Sequence, residues 1–312
     1  MPAMIIAHRP GLAVALKLVA VGLFTVMAAM VKAASETVPA GQAVFFRSFF
    51  AIPVILLWLT ARGELRHGLI PNNLRGHFVR GIVGTLAMSL TFAGLARLPL
   101  PEVTAIGYAA PIFTLILAAL MLGERIRLIR LSAVALGLIG VLIMLWPRLG
   151  QSASLDDTAT LGALFILGAT LCRSLVQIHI RQLVQTEHTA AVVFYFSLTA
   201  SLLALLTLPF GWVWPGWPVI GLLVGAGLMG GMAQILVTSS YRFGPASMLA
   251  PYDYASMLFA ILVGWLWFAE LPTLVMLSGA ALVVAGNVLV IWREHHLGLE
   301  RARARAVSDP KA

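Results

Sequence analysis

What most constrains this chain is the spacing of its apolar runs. About ten stretches of roughly 20 residues, each long enough to cross a bilayer as a helix, fill nearly its whole length. Lipid offers no water to bare backbone groups, so every crossing segment has to be helical. Of the 312 residues, 60% are hydrophobic and 11% charged. A soluble domain carries about 25% charged residues to cover its surface. The chain therefore reads as an all-α integral membrane protein with ten transmembrane helices, and nothing remains from which to build a soluble domain.

The spans fall near 12–32, 40–60, 74–96, 100–122, 129–147, 158–182, 189–209, 217–241, 246–268 and 273–292. Turn signals punctuate them: Thr37-Val38-Pro39, Ile70-Pro71-Asn72-Asn73, Leu98-Pro99, Trp146-Pro147, Trp214-Pro215-Gly216, Gly244-Pro245 and Leu271-Pro272. Such short breaks force successive helices to pack as antiparallel neighbours. The N-terminus imitates a secretory leader, with Arg9, the run from Leu12 to Met30, and Ala33-Ala34-Ser35. Lys32 beside that cleavage signal, and a counterpart of the first span later on, favour a retained first helix.

The formal charge of +9 does not signal nucleic acid, because basic residues stand singly at the ends of apolar runs. With ten spans both termini share a side. That side would hold Arg9, Arg62, Arg66, Arg75, Arg125, Arg127, Arg130, Arg181, Arg242 and the tail Arg293, Arg301, Arg303, Arg305 and Lys311. The opposite side keeps Lys32, Arg97 and Arg148. By the positive-inside rule both termini are expected in the cytoplasm of a bacterial-type inner membrane.

The chain also repeats itself. Glu124 and Glu270 each end a span, 146 residues apart (270 − 124). The same offset pairs Pro99 with Pro245, Tyr108 with Tyr254, Phe113 with Phe259, Ser132 with Ser278, Leu136 with Leu282 and Gly140 with Gly286. An offset of 149 (197 − 48) pairs Phe45 with Phe194, Ser48 with Ser197 and Ala51 with Ala200. The expected organisation is a five-helix repeat over 1–150, a second over 151–294 and a basic tail over 295–312. An odd number of spans per repeat inverts the second half relative to the first. That architecture places a site near the midplane and permits alternating access.

Leu122-Gly123-Glu124-Arg125-Ile126, followed by Gly137 and Gly140, resembles the end of a repeat in the drug/metabolite transporter superfamily. Phe268-Ala269-Glu270-Leu271-Pro272 with Gly279 and Gly286 repeats it, with Ala269 where glycine is usual. Arg47 in Phe46-Arg47-Ser48-Phe49 resembles that family's second-helix arginine, and its counterpart in the second half is Phe196. Ala250-Pro251-Tyr252-Asp253-Tyr254 resembles a ninth-helix pattern of many members. The resemblance covers nearly the whole chain. It implies a ten-helix EamA-type exporter of small metabolites, a group in which amino-acid exporters are prominent.

Ionisable residues inside a span are costly and usually face the bundle interior. Here they are Lys17, Arg47, Arg80, Arg173, His179 and Asp253. Lys17 could draw a substrate carboxylate or snorkel to headgroups. Arg47 is deeper, with structural pairing as its alternative role. Arg80 and Arg173 are expected to snorkel. Asp253 follows Pro251, and a proline-broken helix is a common transport site; it could titrate, bind an ammonium or bond a neighbouring helix. Glu124 and Glu270 are expected to cap connections. Tyr108, Phe113, Tyr252, Tyr254 and Phe259 offer apolar faces with hydroxyl handles on the paired fourth and ninth spans, which suits aromatic or bulky apolar amino acids. Trp212, Trp214 and Trp217 read as an interfacial belt.

Gly225-Ala226-Gly227-Leu228-Met229-Gly230 matches G-x-G-x-x-G, but it lies inside an apolar span rather than between a strand and a soluble helix. Close helix packing through small residues accounts for it. The sequence carries no Walker loop and no H-E-x-x-H, and the single cysteine, Cys172, rules out a disulfide framework. No cofactor or metal is expected, and His295-His296 lie in the basic tail. The expected function is a secondary transporter of small organic solutes, amino acids foremost, with Lys17, Arg47, Tyr108, Tyr252, Asp253 and Tyr254 as substrate-binding candidates. The partners expected are that substrate and membrane lipid, without nucleic acid. The rivals are a multidrug or other metabolite exporter, a channel, and a lipid-modifying membrane enzyme, for which only Asp156-Asp157 supplies clustered acids outside the spans. Few buried carboxylates favour an uncoupled carrier.

Overall fold

The apolar runs fold as helices. The computed structural model of the protein describes residues 10–110, 158–183, 186–243 and 255–282, with single positions between 113 and 146 and between 249 and 288. Among these residues no strand occurs. Helix α1 is Pro10–Ala34, α2 Ala40–Phe49, α3 Ala51–Ala61, α4 Leu65–Gly68, α5 Leu74–Leu95 and α6 Leu100–Gly107. Helix α7 is Thr158–Leu183, α8 Thr189–Leu205, α9 Trp217–Phe243 and α10 Ala255–Phe268, and residues 274–282 are also helical. Five segments are long and apolar enough to cross a membrane: Gly11–Ala34, Ala40–Ala61, Leu74–Leu95, Thr158–Val176 and Trp217–Ser240. Helices α8 and α10 are apolar but shorter. Most of the fifth predicted span and parts of the fourth, ninth and tenth lie outside the described residues.

Helix boundaries follow local chemistry. Asn73 caps α5 by accepting the Gly76 amide at 2.9 Å, which satisfies one of the free N–H groups of the first turn. The second span, expected unbroken over 40–60, is interrupted at Phe50. Pro53 lies just beyond and has no N–H to return to the Phe49 carbonyl. The fourth span, expected over 100–122, is interrupted after Gly107, where the backbone turns through Tyr108 and Ala109 before helix resumes at Ala110. Pro111 is four residues past Gly107 and cannot donate back to it. In the ninth span a short 3₁₀ turn at Tyr252 and Asp253 precedes α10.

Two long helix pairs dominate the packing: α1 lies along α9, and α5 along α7. Helix α2 rests on α8, and α10 touches both α1 and α6. Small residues let these backbones approach. A Cβ on Gly227 would come within 2.9 Å of the Phe46 carbonyl oxygen, and one on Gly231 within 3.1 Å of Ala51 Cα. Gly225 and Gly230 seat Met30 and Met27 of α1. The G-x-G-x-x-G run is therefore a packing ridge between α9, α1 and the second span. Gly94 does the same for Ile166 on the α5–α7 seam.

Large apolar side chains cover the outside, including Leu57, Phe78, Leu206, Phe210, Leu258 and Leu274. Such a surface would aggregate in water and belongs against lipid. Trp214 and Trp217 are exposed in keeping with an interfacial belt. Trp212 departs from it: its indole N–H donates to Thr207 Oγ1 at 2.9 Å and its ring packs on Phe45. Gln42 pins the same connection, donating to the Val213 carbonyl at 2.8 Å and accepting its amide at 3.2 Å.

Candidate functional site

The broken helices bring the first group of polar residues together. Where α6 ends, the Tyr108 hydroxyl lies 2.9 Å from Ser256 Oγ on α10. Ser256 Oγ also donates to the Asp253 carbonyl at 2.6 Å, which fixes the turn before α10. The Asp253 carboxylate meets Lys17 Nζ of α1 at 2.7 Å. Lys17 is 4% exposed at its side chain and Asp253 53%. The ammonium is thus enclosed in the bundle and does not snorkel, while half of the carboxylate stays open. Arg173 of α7 completes the group. Its Nη2 reaches Thr91 Oγ1 at 3.5 Å, and it lies within electrostatic range of Asp253. Arg173 is exposed and ten residues from the end of its helix, not at the span end expected from sequence, and its Nη1 lies 4.0 Å from where a Cβ on Gly107 would stand at the end of α6. Tyr252 is half-buried in the same turn, and Tyr254 lies outside the described residues.

Arg47 stands elsewhere. It and Met27 both lie against Gly230, so along α1 it is ten residues beyond Lys17, roughly 15 Å at 1.5 Å per residue. There Arg47 and Arg80 share one aromatic ring. The Arg80 guanidinium carbon is 4.4 Å from the Phe196 centroid and that of Arg47 is 5.6 Å from it. Gly84, one turn on from Arg80, leaves room for the ring, since a Cβ there would sit 2.8 Å from Phe196 Cε2. Both arginines are buried, at 5% and 4% exposure, so Arg80 does not reach out as a snorkelling side chain would. Among the described residues neither guanidinium has an ion pair, and Arg47 Nε, Arg80 Nε and Arg80 Nη1 have no hydrogen-bond partner. A desolvated cation–π contact returns about 2 kcal/mol. A buried, unpaired ion costs several kcal/mol. The ring steers the two cations without settling their charge.

Two further polar clusters close the ends of the bundle. At the end of α1, Lys32 Nζ donates to the Leu98 carbonyl at 2.7 Å and pairs with Glu270 Oε1 at 3.0 Å. Glu270 Oε2 accepts the Leu100 amide at 2.9 Å, so it caps α6, as a structural role for this residue requires. Its repeat partner Glu124 lies outside the described residues. At the opposite end Glu187, in the connection between α7 and α8, accepts the Asn72 and Asn73 amides at 2.9 and 2.6 Å and faces His77 Nε2 at 3.2 Å. Burial opposes its charge, but those donors outweigh it and hold the carboxyl below the usual glutamate range. His179 Nε2 lies 3.0 Å from the Gly76 carbonyl oxygen, a contact between α7 and α5 that gives this histidine a packing role.

Sequence reasoning missed Arg80, Ser256 and Phe196 as members of these groups. Phe196 carried a signal in being the repeat counterpart of Arg47, and the two residues touch.

The sequence profile of the EamA-like transporter family matches residues 11–146 and again 160–292. The chain is similar to the pseudopaline exporter CntI of Pseudomonas aeruginosa, with 32% identity over 86% of this chain and 89% of that one. It is 24% identical to the S-adenosylmethionine uptake transporter of Rickettsia prowazekii, over 81% of this chain and 83% of that one. It is 29% identical to the riboflavin transporter of Vibrio cholerae, over 75% and 76% of the two chains. A crystal structure of a protein 21% identical in sequence shares the fold, with a TM-score of 0.65 over 91% of this chain and 98% of that one.

Proposed function

Since the chain belongs to the EamA-like transporter family, a family of transporters and not of enzymes, we propose that it is a secondary carrier exporting small zwitterionic metabolites, amino acids foremost. The observation that carries this reading is the Lys17–Asp253 pair at the broken start of α10, with Tyr108 and Ser256 beside it and Arg173 opposite. An α-amino acid presents an ammonium and a carboxylate on adjacent atoms. The open half of Asp253 suits the ammonium, and Arg173 suits the carboxylate through its flat fork of donors. Tyr252 adds an aromatic wall in keeping with bulky apolar side chains, and Tyr254 is proposed beside it. The relatives' names include both an exporter and uptake transporters, so export rests on the analogy with the pseudopaline exporter.

The carrier works by alternating access between inverted halves over 1–150 and 151–294, ten spans in all, with a basic tail over 295–312 and both termini cytoplasmic in the inner membrane. Helix packing supports the repeat. Under its offsets α1 corresponds to α7 and α5 to α9, so the two dominant pairs, α1 with α9 and α7 with α5, exchange places. The α2–α8 contact maps onto itself, as it must about a twofold axis. A carrier moves solute by closing one end while opening the other, and the ion-paired ends of the bundle suit such closures.

The test is uptake and counter-exchange in liposomes holding the purified protein, with labelled amino acids that include aromatic, branched and acidic ones. Saturable exchange accelerated by solute on the far side is the expected result. Flux that is linear in concentration would make the protein a channel. Absence of flux for every amino acid would end the substrate assignment and turn attention to drugs and other metabolites. In the same assay, Asp253→Asn is expected to reduce exchange at least about tenfold, the loss of one charged hydrogen bond.

A further inference from the structure

We infer that Arg47 and Arg80, stacked on Phe196, form an anion-binding site that takes a carboxylate or phosphate group. The site is marked by the partners its cations lack among the described residues. Two permanently charged guanidiniums are buried beside one ring, within electrostatic range of each other and without a carboxylate partner among the described residues. Guanidinium carries five N–H donors and no acceptor. Three of the nitrogens are buried without a hydrogen-bond partner, and so are the hydroxyls of Ser48 and Ser197, the residues that follow Arg47 and Phe196. Buried polar groups are ordinarily satisfied by protein or water. A cluster that gathers three unpartnered guanidinium nitrogens and two like charges is instead built to complement something that arrives from outside. Its required chemistry is negative charge with several oxygen acceptors, which an Arg pair grips by its paired forks.

The anion has two possible sources. Because the pair stands roughly 15 Å along α1 from Lys17, by helix rise, it could hold a second anionic group on a substrate whose ammonium sits at Asp253, or a small free anion. The first source rests on the amino-acid reading above and narrows it to substrates with an additional acidic group. The second does not depend on it.

The experiment follows thermal unfolding of the full-length protein in detergent with glutarate, its neutral diamide, or inorganic phosphate. Ligands that bind only the folded state raise the unfolding midpoint. Glutarate is expected to raise it and the diamide to leave it unchanged, with the shift absent in Arg80→Gln and in Arg47→Gln. Should either variant fail to fold, Arg80→Lys and Arg47→Lys keep the charge and lose the fork, and glutarate binding is expected to weaken about tenfold. No shift with any anion, or an undiminished shift in the arginine variants, overturns the site. Liposome exchange separates the sources. Preference for tetra-alanine, whose ammonium and carboxylate lie about 13 Å apart when extended, over its C-terminal amide, lost in Arg80→Gln, assigns the site to the substrate. Equal transport of the two, with phosphate stabilising as well as glutarate, assigns it to a free anion. Amino-acid exchange without any anion shift sinks this site alone, and an anion shift without amino-acid exchange sinks only the amino-acid reading.

Discussion

Ala269 holds a backbone φ of +54°, a left-handed conformation in which a side chain costs about 1–2 kcal/mol and glycine nothing. It occupies the place where the first-half motif has Gly123, so the departure from the usual glycine is a strained site and not a neutral replacement. Ala269→Gly is expected to stabilise the protein by about 1 kcal/mol, read as a higher unfolding midpoint in detergent. Other residues were harder to read. Nothing in the neighbourhood of Arg80 or Arg173 in sequence reveals which groups they meet. Their environment comes from Phe196 on α8 for the one and from Thr91 on α5 for the other. Lys17 and Asp253 were legible as intramembrane charges, yet 236 residues separate them (253 − 17) and their pairing is a tertiary fact.

At the scale of elements, the Lys32–Glu270 pair ties together four segments. It joins the end of α1, the carbonyl groups ending α5, the first amide of α6 and the turn after α10. A part-buried pair with backbone partners on both members should be worth more than a surface ion pair. Lys32→Met and Glu270→Gln are each expected to cost about 1–3 kcal/mol. Because both act on one network, the double variant should lose less than the sum of the two. Unfolding midpoints of the three variants measure this, and strict additivity would show that the lysine and glutamate act separately. The sequence made Glu270 conspicuous through its repeat partner. It could not show that the group Glu270 caps is α6, 170 residues away. The breaks at Phe50 and after Gly107 are of the same kind. Proline marks where a helix is weakened, and packing decides where it breaks.

For the whole molecule, the repeat and the asymmetry of basic residues together make a claim about topology. A reporter that fluoresces only in the cytoplasm is expected to light up when fused after Ala312 and to stay dark when fused in the connection at 151–157. Fluorescence at both positions would remove one span and, with it, the inversion of the second half. The exchange of the α1–α9 and α7–α5 pairs under the repeat offsets is what the proposed twofold relation requires. That relation also explains why Arg47 meets its own counterpart, Phe196. Residues on self-paired helices approach the axis and therefore each other.

Sequence by itself determined that the chain is helical and membrane-embedded, where most helices begin, that its glycine-rich run is a packing surface and which family it resembles. Those properties follow from composition, spacing and proline placement, which act over a few residues. The tertiary structure decided which charges are paired, which are open and which are buried without partners. Lys17 found Asp253, Glu270 found Lys32 and the Leu100 amide, and Arg47 and Arg80 found an aromatic ring and, among the described residues, no carboxylate. The reason is physical. Inside a bilayer the energy of a charge is set by the atoms within a few ångströms of it, and in a helical bundle those atoms come from helices distant in the chain.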